Sequence, residues 1–363
     1  TLFRSGRYPT RVGVPRVLFP QDQVGLPDGE VTIAQLLKPL GYKTMCVGKW
    51  HLGHLPKYLP TARGFDEYYG IPYSNDMIPP VVLHATPGKV ETVEERATLE
   101  TLTPRYTEQA LKFIEANKGG PFFLYMPFNA VHAPLEATQR YQDRFATISD
   151  TKRRTYASMM SAMDEAIGKI LNKLREHKIE EDSLVFFVAD NGGPTAQTTS
   201  SNVPLRGFKG QVYEGGIHIP FLVQWKRRLP KGIVYDKPVI AIDIHPTAVS
   251  AAGGVPGANL DGVNLLPFLT GQNKGTPHEA LFWRFGPQWA VRKGDWKLLG
   301  LGQSAVELYN LGADLSEKNN LAASDTAKLK ELQAAYDAWN AKNVAPKWRT
   351  ERQGRGQKKK KKA

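Results

Sequence analysis

VTIAQLLKPLGYKTMCVGKWHLG, residues 31–53, decides the fold. Its first ten residues place Ile33, Leu36, Leu37 and Leu40 on one helical stripe, with Thr32 positioned to cap it. Gly41 breaks that period. Residues 44–48 then read as a short buried strand, whose carboxyl end runs into Lys49, Trp50 and His51. Helix, glycine, apolar strand and polar loop make up the repeating unit of an α/β protein. The unit recurs: a helix from Pro104 to about Ala116 precedes the apolar run FFLYMPF (122–128). A long helix, Thr151 to His177, carries the stripe Tyr156, Met159, Met160, Met163, Ile167, Ile170, Leu171 and Leu174. SLVFFVAD (183–190) and FLVQW (221–225) are further strands. This alternation predicts an α/β fold with a large, mostly parallel sheet between helices.

Past Gly271 the texture changes. ALFWRF (280–285), WAVRKGDWKLLG (289–300) and VELYNL (306–311) alternate with turn residues and predict a small antiparallel sheet. A helix from Ser324 to Lys342 follows, with Leu329, Leu332, Ala335, Tyr336 and Trp339 inward. The organisation predicted is an α/β domain over 1–275, a small α+β subdomain over 276–345 and a disordered basic tail over 346–363.

The net charge of +13 over 363 residues belongs largely to that tail. The last 17 residues carry +8, leaving +5 for the other 346. A nucleic-acid-binding body is not indicated, since basic and aromatic residues are not interleaved there. A composition of 41% hydrophobic and 23% charged residues suits a globular core. No apolar run approaches the ~18 residues of a membrane span. The single cysteine, Cys46, lies inside an apolar strand and reads as a packing residue; it excludes an internal disulfide framework.

Ligands of open α/β sheets sit at the carboxyl ends of strands. Three such ends carry chemistry: Lys49 to His54, Asn129 to Pro134 with His132, and Asp190-Asn191-Gly192-Gly193. The glycine-flanked loop Leu205 to Gly210 adds Arg206 and Lys209. Lysines supply fixed positive charge, histidines proton transfer, and Asp with Asn hard oxygen ligands for Ca²⁺ or Mg²⁺. The set suits a tetrahedral oxyanion ester. Each part also has a plainer reading: Asp-Asn-Gly-Gly as a turn, His132 as a loop histidine, Lys49 as a solvated charge. His51 and His54 sit between Gly48 and Gly53 with no carboxylate, which argues against zinc.

Taken in order, GRYPTRVG, VTIAQLLKPLGYKTMCVGKWHLG, ARGFDEYYGIPYS, VHAP, ADNGG, LRGFKG, YEGGIHIPF, DGVNLLPFLTG, RKGDWKLL and ELYNLGADLSEKNNLA resemble the arylsulfatase family. The likeness is nearest to its arylsulfatase A and N-acetylgalactosamine-6-sulfatase branch and runs from about Thr1 to Ala323. It implies an alkaline-phosphatase-like fold with a small C-terminal four-stranded sheet. It implies hydrolysis of a sulfate ester of a carbohydrate or aryl substrate, with one Ca²⁺ and a formylglycine made from Cys or Ser in Cys/Ser-x-Pro-x-Arg. By motif match, Asp190 and Asn191 are Ca²⁺ ligands. Lys49 and Lys209 hold sulfate oxygens, His132 contacts the sulfate and helps protonate the leaving oxygen, and His51 is the base that breaks the sulfated intermediate. Ser74 lines the pocket. A formylglycine-generating or maturase enzyme is the implied partner, and export to the periplasm or outside the cell the implied location.

The sequence departs from the family in one large respect. The formylglycine motif lies just upstream of Gly6-Arg7-Tyr8-Pro9 and so falls before Thr1, together with the paired N-terminal aspartates and a central first strand. Met45-Cys46-Val47-Gly48 lacks the Pro and Arg and cannot replace it. The expectation is a fragment or a truncated reading frame, inactive on its own. His218 stands where the family commonly has Arg and is read as structural. The rival readings are a same-fold phosphodiesterase or phosphonate hydrolase with two transition metals, and a non-catalytic module that binds sulfated glycan.

Overall fold

Lys43–Val47 forms β1, and its side chains serve two cores at once. Cys46 packs with Trp50, Phe65 and Tyr68 on one face, and Met45 and Val47 with Tyr69, Tyr106 and Phe113 on the other. A strand covered on both faces reads as an unbroken apolar run, which is why this segment was legible. The computed structural model describes residues 4–14, 16–77 and 79–345. The predicted tail over 346–363 lies outside them.

In chain order the helices are α1 (Ile33–Leu37), α2 (Leu102–Asn117), α3 (Gln139–Gln142), α4 (Thr151–Glu176), α5 (Thr195–Thr198), α6 (Glu214–Ile217), α7 (Ile244–Ala251), α8 (Leu266–Leu269) and α9 (Thr326–Asn340). Thr32 does cap α1: its hydroxyl accepts the Gln35 N–H, and the Gln35 side chain accepts the Thr32 N–H.

Glu67–Gly70 (β2), Val82–Thr86 (β3), Lys89–Glu94 (β4) and Phe122–Tyr125 (β5) join β1 in a sheet ordered β4-β3-β2-β1-β5. β1 is parallel to β2 and to β5, with Cys46 opposite Tyr68 and Tyr125. The β3–β4 hairpin is antiparallel. The mixed sheet with a parallel centre is therefore as expected.

Two details differ. Val185–Val188 (β6) and Phe221–Gln224 (β7) pair antiparallel, as a ribbon not hydrogen-bonded to that sheet among the described residues. A parallel return needs a long crossover, usually a helix. The intervening segment holds only the short helices α5 and α6 and runs out to the Lys209 loop, with no long helix to carry a parallel crossover. Phe186, Val188 and Phe221 still pack with Phe123, Ile33, Leu37, Ile244 and Val249, which keeps the ribbon beside β5. On α4 the buried line is Thr155, Ser158, Met159, Ala162, Ala166 and Leu174, while Met160 is 37% exposed. Small side chains let α4 close on α2 and α3, so the bulkier stripe turns aside.

Leu281–Phe285 (β8), Gln288–Lys293 (β9), Trp296–Leu301 (β10) and Glu307–Asn310 (β11) form the antiparallel sheet, ordered β11-β10-β9-β8. One face packs on α9 through Val291, Leu298, Leu308, Leu332, Tyr336 and Trp339. The other face, with Ala290, Leu299 and Tyr309, packs on Val212 and Tyr213. No helix among the described residues is long and apolar enough to cross a membrane.

Candidate active site

The backbone past β1 continues the sheet without being a strand. Gly48 N–H donates to Tyr69 O (2.8 Å), Lys49 N–H to Pro127 O (2.9 Å), Trp50 N–H to Ile71 O (3.1 Å) and His51 N–H to Pro72 O (2.8 Å). Gly48 has φ +132°, and a Cβ there would lie 2.1 Å from the Pro127 carbonyl oxygen, so this position needs glycine. Trp50 is fully buried and its indole N–H donates to Tyr58 O at 2.8 Å, anchoring the turn. His51 takes a left-handed φ of +60°, a strained conformation of a kind that clusters at functional sites.

Four predicted residues meet in a line. Lys49 Nζ donates weakly to Ser74 Oγ at 3.4 Å, Ser74 Oγ lies 3.5 Å from His132 Nδ1, and Lys209 Nζ donates to His132 Nε2 at 3.0 Å. His132 Nδ1–H donates to the Ala133 carbonyl at 2.6 Å. That bond sets the tautomer and leaves the Nε2 lone pair toward Lys209. Burial is the main force holding the His132 pKa below its ordinary value, and the charges of Lys209 and Lys49 add to it. Lys49 is lowered chiefly by burial and raised by Asp190 and Asp76, so all these groups share one field.

His51 stands apart from the line. Its Nε2–H donates to Leu18 O at 2.9 Å and its ring meets Tyr73 edge-on at 5.7 Å. Burial, then the Lys49 charge, pushes its pKa down to about 4. The ring is thus a neutral base with a free Nδ1. His54 Nδ1 bonds the Tyr73 hydroxyl at 2.7 Å instead of joining a metal set. Cys46 is fully buried, and burial pushes its thiol up to about 12, as befits a packing residue.

Asp190 follows β6 and is exposed, and Asn191 Nδ2 donates to Gly192 O at 3.0 Å. A carboxylate and an amide carbonyl suit a hard cation such as Ca²⁺, but supply only two of the roughly six to eight oxygens it takes. No group of three or more His, Cys, Asp or Glu side chains placed to hold a metal occurs among the described residues.

Sequence reading missed several supporting residues. Asn75 is 3% exposed, and its Nδ2 donates to His132 O at 3.1 Å, fixing the histidine loop. Asn202 ties the two remaining loops together, donating to Gly193 O (2.9 Å) and Gly207 O (3.1 Å) and accepting the Gly193 N–H (2.9 Å). The Arg4 guanidinium lies 4.4 Å from the Trp50 ring centroid and 4.8 Å from that of Tyr125, and adds positive potential beneath Lys49 and His51. Asp76 is the exposed acid facing Lys49 and His132. Only the adjacency of Asn75 and Asp76 to Ser74 could have signalled any of them.

The sulfatase family model matches residues 2–255. The chain belongs to the sulfatase family. A second model, described as N-sulphoglucosamine sulphohydrolase, C-terminal, matches residues 208–338. N-acetylgalactosamine-6-sulfatase of Canis lupus familiaris is 31% identical over 344 residues, covering 89% of this chain and 65% of its own length. Arylsulfatase G of Rattus norvegicus is 32% identical over 324 residues, covering 77% and 60%. The chain thus spans less than two thirds of the length of these relatives. The crystal structure of Ps i-CgsB in complex with k-i-k-neocarrahexaose superposes with a TM-score of 0.85 at 30% identity, over 95% of this chain and 82% of that one. The alkaline-phosphatase-like fold of the sulfatases is therefore this chain's fold. A phosphonate monoester hydrolase from Silicibacter pomeroyi shares it at 17% identity and a TM-score of 0.69.

Proposed function

We propose that this chain is part of a sulfate ester hydrolase acting on a sulfated carbohydrate or aryl sulfate. The observation that carries the reading is the unbroken line Lys49–Ser74–His132–Lys209, with two ammonium groups flanking one neutral histidine. Two lysines oriented before substrate arrives give the electrostatic clamp that a sulfuryl group needs as charge shifts to the leaving oxygen. The proton for that oxygen is the one the Lys209 ammonium donates to the His132 Nε2 lone pair; relayed through Nε2 to the departing alkoxide, it leaves Lys209 as the neutral amine and His132 in its starting tautomer. His51, neutral and with Nδ1 free, is the second base.

Asp190 and Asn191 would hold the Ca²⁺ in part, which would supply positive charge beside the clamp. A formylglycine would supply the nucleophile. The same reading includes maturation by a formylglycine-generating or maturase enzyme, and export. The complex of Ps i-CgsB with k-i-k-neocarrahexaose supports a polysaccharide sulfate as substrate class. The shared fold of a phosphonate monoester hydrolase keeps that chemistry as the rival.

The test is to express the protein with its natural upstream coding sequence, then assay an aryl sulfate and an aryl phosphonate and measure bound metal. Sulfate hydrolysis with one Ca²⁺ is expected. Phosphonate hydrolysis with two Zn²⁺ or Mn²⁺ overturns the reading.

A further inference from the structure

Lys209 rides on a loop between α5 and α6 that is itself neither strand nor helix. Its support comes from the C-terminal sheet. Gln288 Nε2 donates to the Gly210 carbonyl at 2.9 Å, one residue past the lysine. Arg206 donates to the Tyr309 hydroxyl and to the Glu317 carbonyl, both at 2.9 Å, with its guanidinium 4.0 Å over the Tyr213 ring. The Tyr213 and Tyr309 hydroxyls both donate to Glu307, at 2.9 and 2.5 Å. Gly215 N–H closes the loop onto Arg206 O at 2.7 Å.

Beneath the loop lies an ion cluster. Lys297 is wholly buried and pairs at 2.8 Å with both Glu214 and Glu317, which are buried too. Glu214 N–H also donates to Glu317 Oε2 at 2.7 Å, and Glu317 holds a left-handed φ of +53°. The two carboxylates divide one cation: Glu214 is held down to about 2 despite its burial, with His218 and Lys297 as partners, while burial pushes Glu317 up. An apolar trio of equal volume would often match or exceed the stability of such a cluster. What the ions add is direction, because Lys297 holds the side chain and Glu317 the backbone N–H of Glu214, the residue that ends the loop. All the anchors fall on Arg206, Gly210, Tyr213 and Glu214, within five positions of Lys209.

We propose that Lys297, with Glu214, Glu317 and Gln288, is a positioning residue for Lys209, so that the C-terminal sheet sets the 3.0 Å approach of the Lys209 ammonium to His132. The proposal rests on the reading of Lys209 as a pocket residue. Its test is the ¹³C NMR titration midpoint of His132 in the whole chain. The charges facing that ring are Lys209, Lys49 and Asp76.

Removing the Lys209 charge by Lys209→Ala should raise the midpoint by about 1 pH unit. Lys297→Met should raise it in the same direction, and add nothing in the Lys209→Ala background. A general loss of packing would act in both backgrounds. A folded Lys297→Met protein with an unmoved midpoint overturns the proposal. If Lys297→Met does not fold, Gln288→Ala decides in the same way, since among the described residues the half-buried Gln288 side chain bonds only the Gly210 carbonyl. An unmoved midpoint in Lys209→Ala itself would take down the pocket reading as well.

Discussion

Lys49 and Lys209 arrive at one histidine by different routes. Lys49 follows β1, and four consecutive backbone N–H groups lock its segment onto the chain on either side. Lys209 sits on a loop whose anchoring partners lie 78 to 111 positions away in sequence. A strand end is rigid because backbone hydrogen bonds and glycine geometry leave it one conformation. A clamped loop is adjustable, because its geometry is the sum of several replaceable side-chain bonds.

The largest expected effect is on the strand end. Gly48→Ala drives a Cβ to 2.1 Å from the Pro127 oxygen and should cost about 3 kcal/mol or more, lowering the urea midpoint steeply or abolishing folding. A wild-type transition would show that the strand end yields, and the contrast would collapse.

Acidification probes the same half. Burial lowers His51 and His245 from 6.5 to about 4. As pH falls below 6.5 the unfolded chain takes up these protons and the folded one does not, so stability is full above 6.5. It should drain away toward pH 4, by roughly 2–3 kcal/mol per histidine. Urea midpoints across that window check this; a flat profile would place both rings in water.

The clamp should respond in smaller steps. Calorimetry with inorganic sulfate should show about tenfold weaker binding for Lys49→Ala and for Lys209→Ala, each losing a charged hydrogen bond. Glu307→Gln should weaken it only about threefold, and not at all in the Lys209→Ala background. An equal loss in both backgrounds would mean that Glu307 acts on the pocket by another path. Smallest of all is Gly210→Ala. Gly210 has φ +87° but open space around it, so only backbone strain of about 1 kcal/mol should appear in the urea midpoint.

The legibility of the molecule follows the same division. β1, β5 and β6 were visible as apolar runs, and the C-terminal hairpins as alternation around Gly294. The antiparallel return of β7 was not, because pairing direction depends on what the connection contains, not on the strand. Lys49, His132 and Lys209 were noticed as polar residues at strand ends and in a glycine loop. That they share one pocket came from the family resemblance, not from their spacing. Asn75, Asn202 and Lys297 left no mark, since a buried polar residue looks like a surface one until its partner is known.

By itself the sequence determined what acts over a dozen residues: the Thr32 cap, the inward stripe of α9, the doubly buried apolar run of β1 and the glycine at position 48. Tertiary structure alone decided the meeting of Ser74 with His132 across 58 positions, and of Arg206 with Glu317 across 111. The parallel pairing of β1 with β2 and β5 brings the strand ends into register, and a buried ion cluster on another sheet aims the loop. No short-range pattern carries either, because the energy of each contact depends on a partner that only folding brings near.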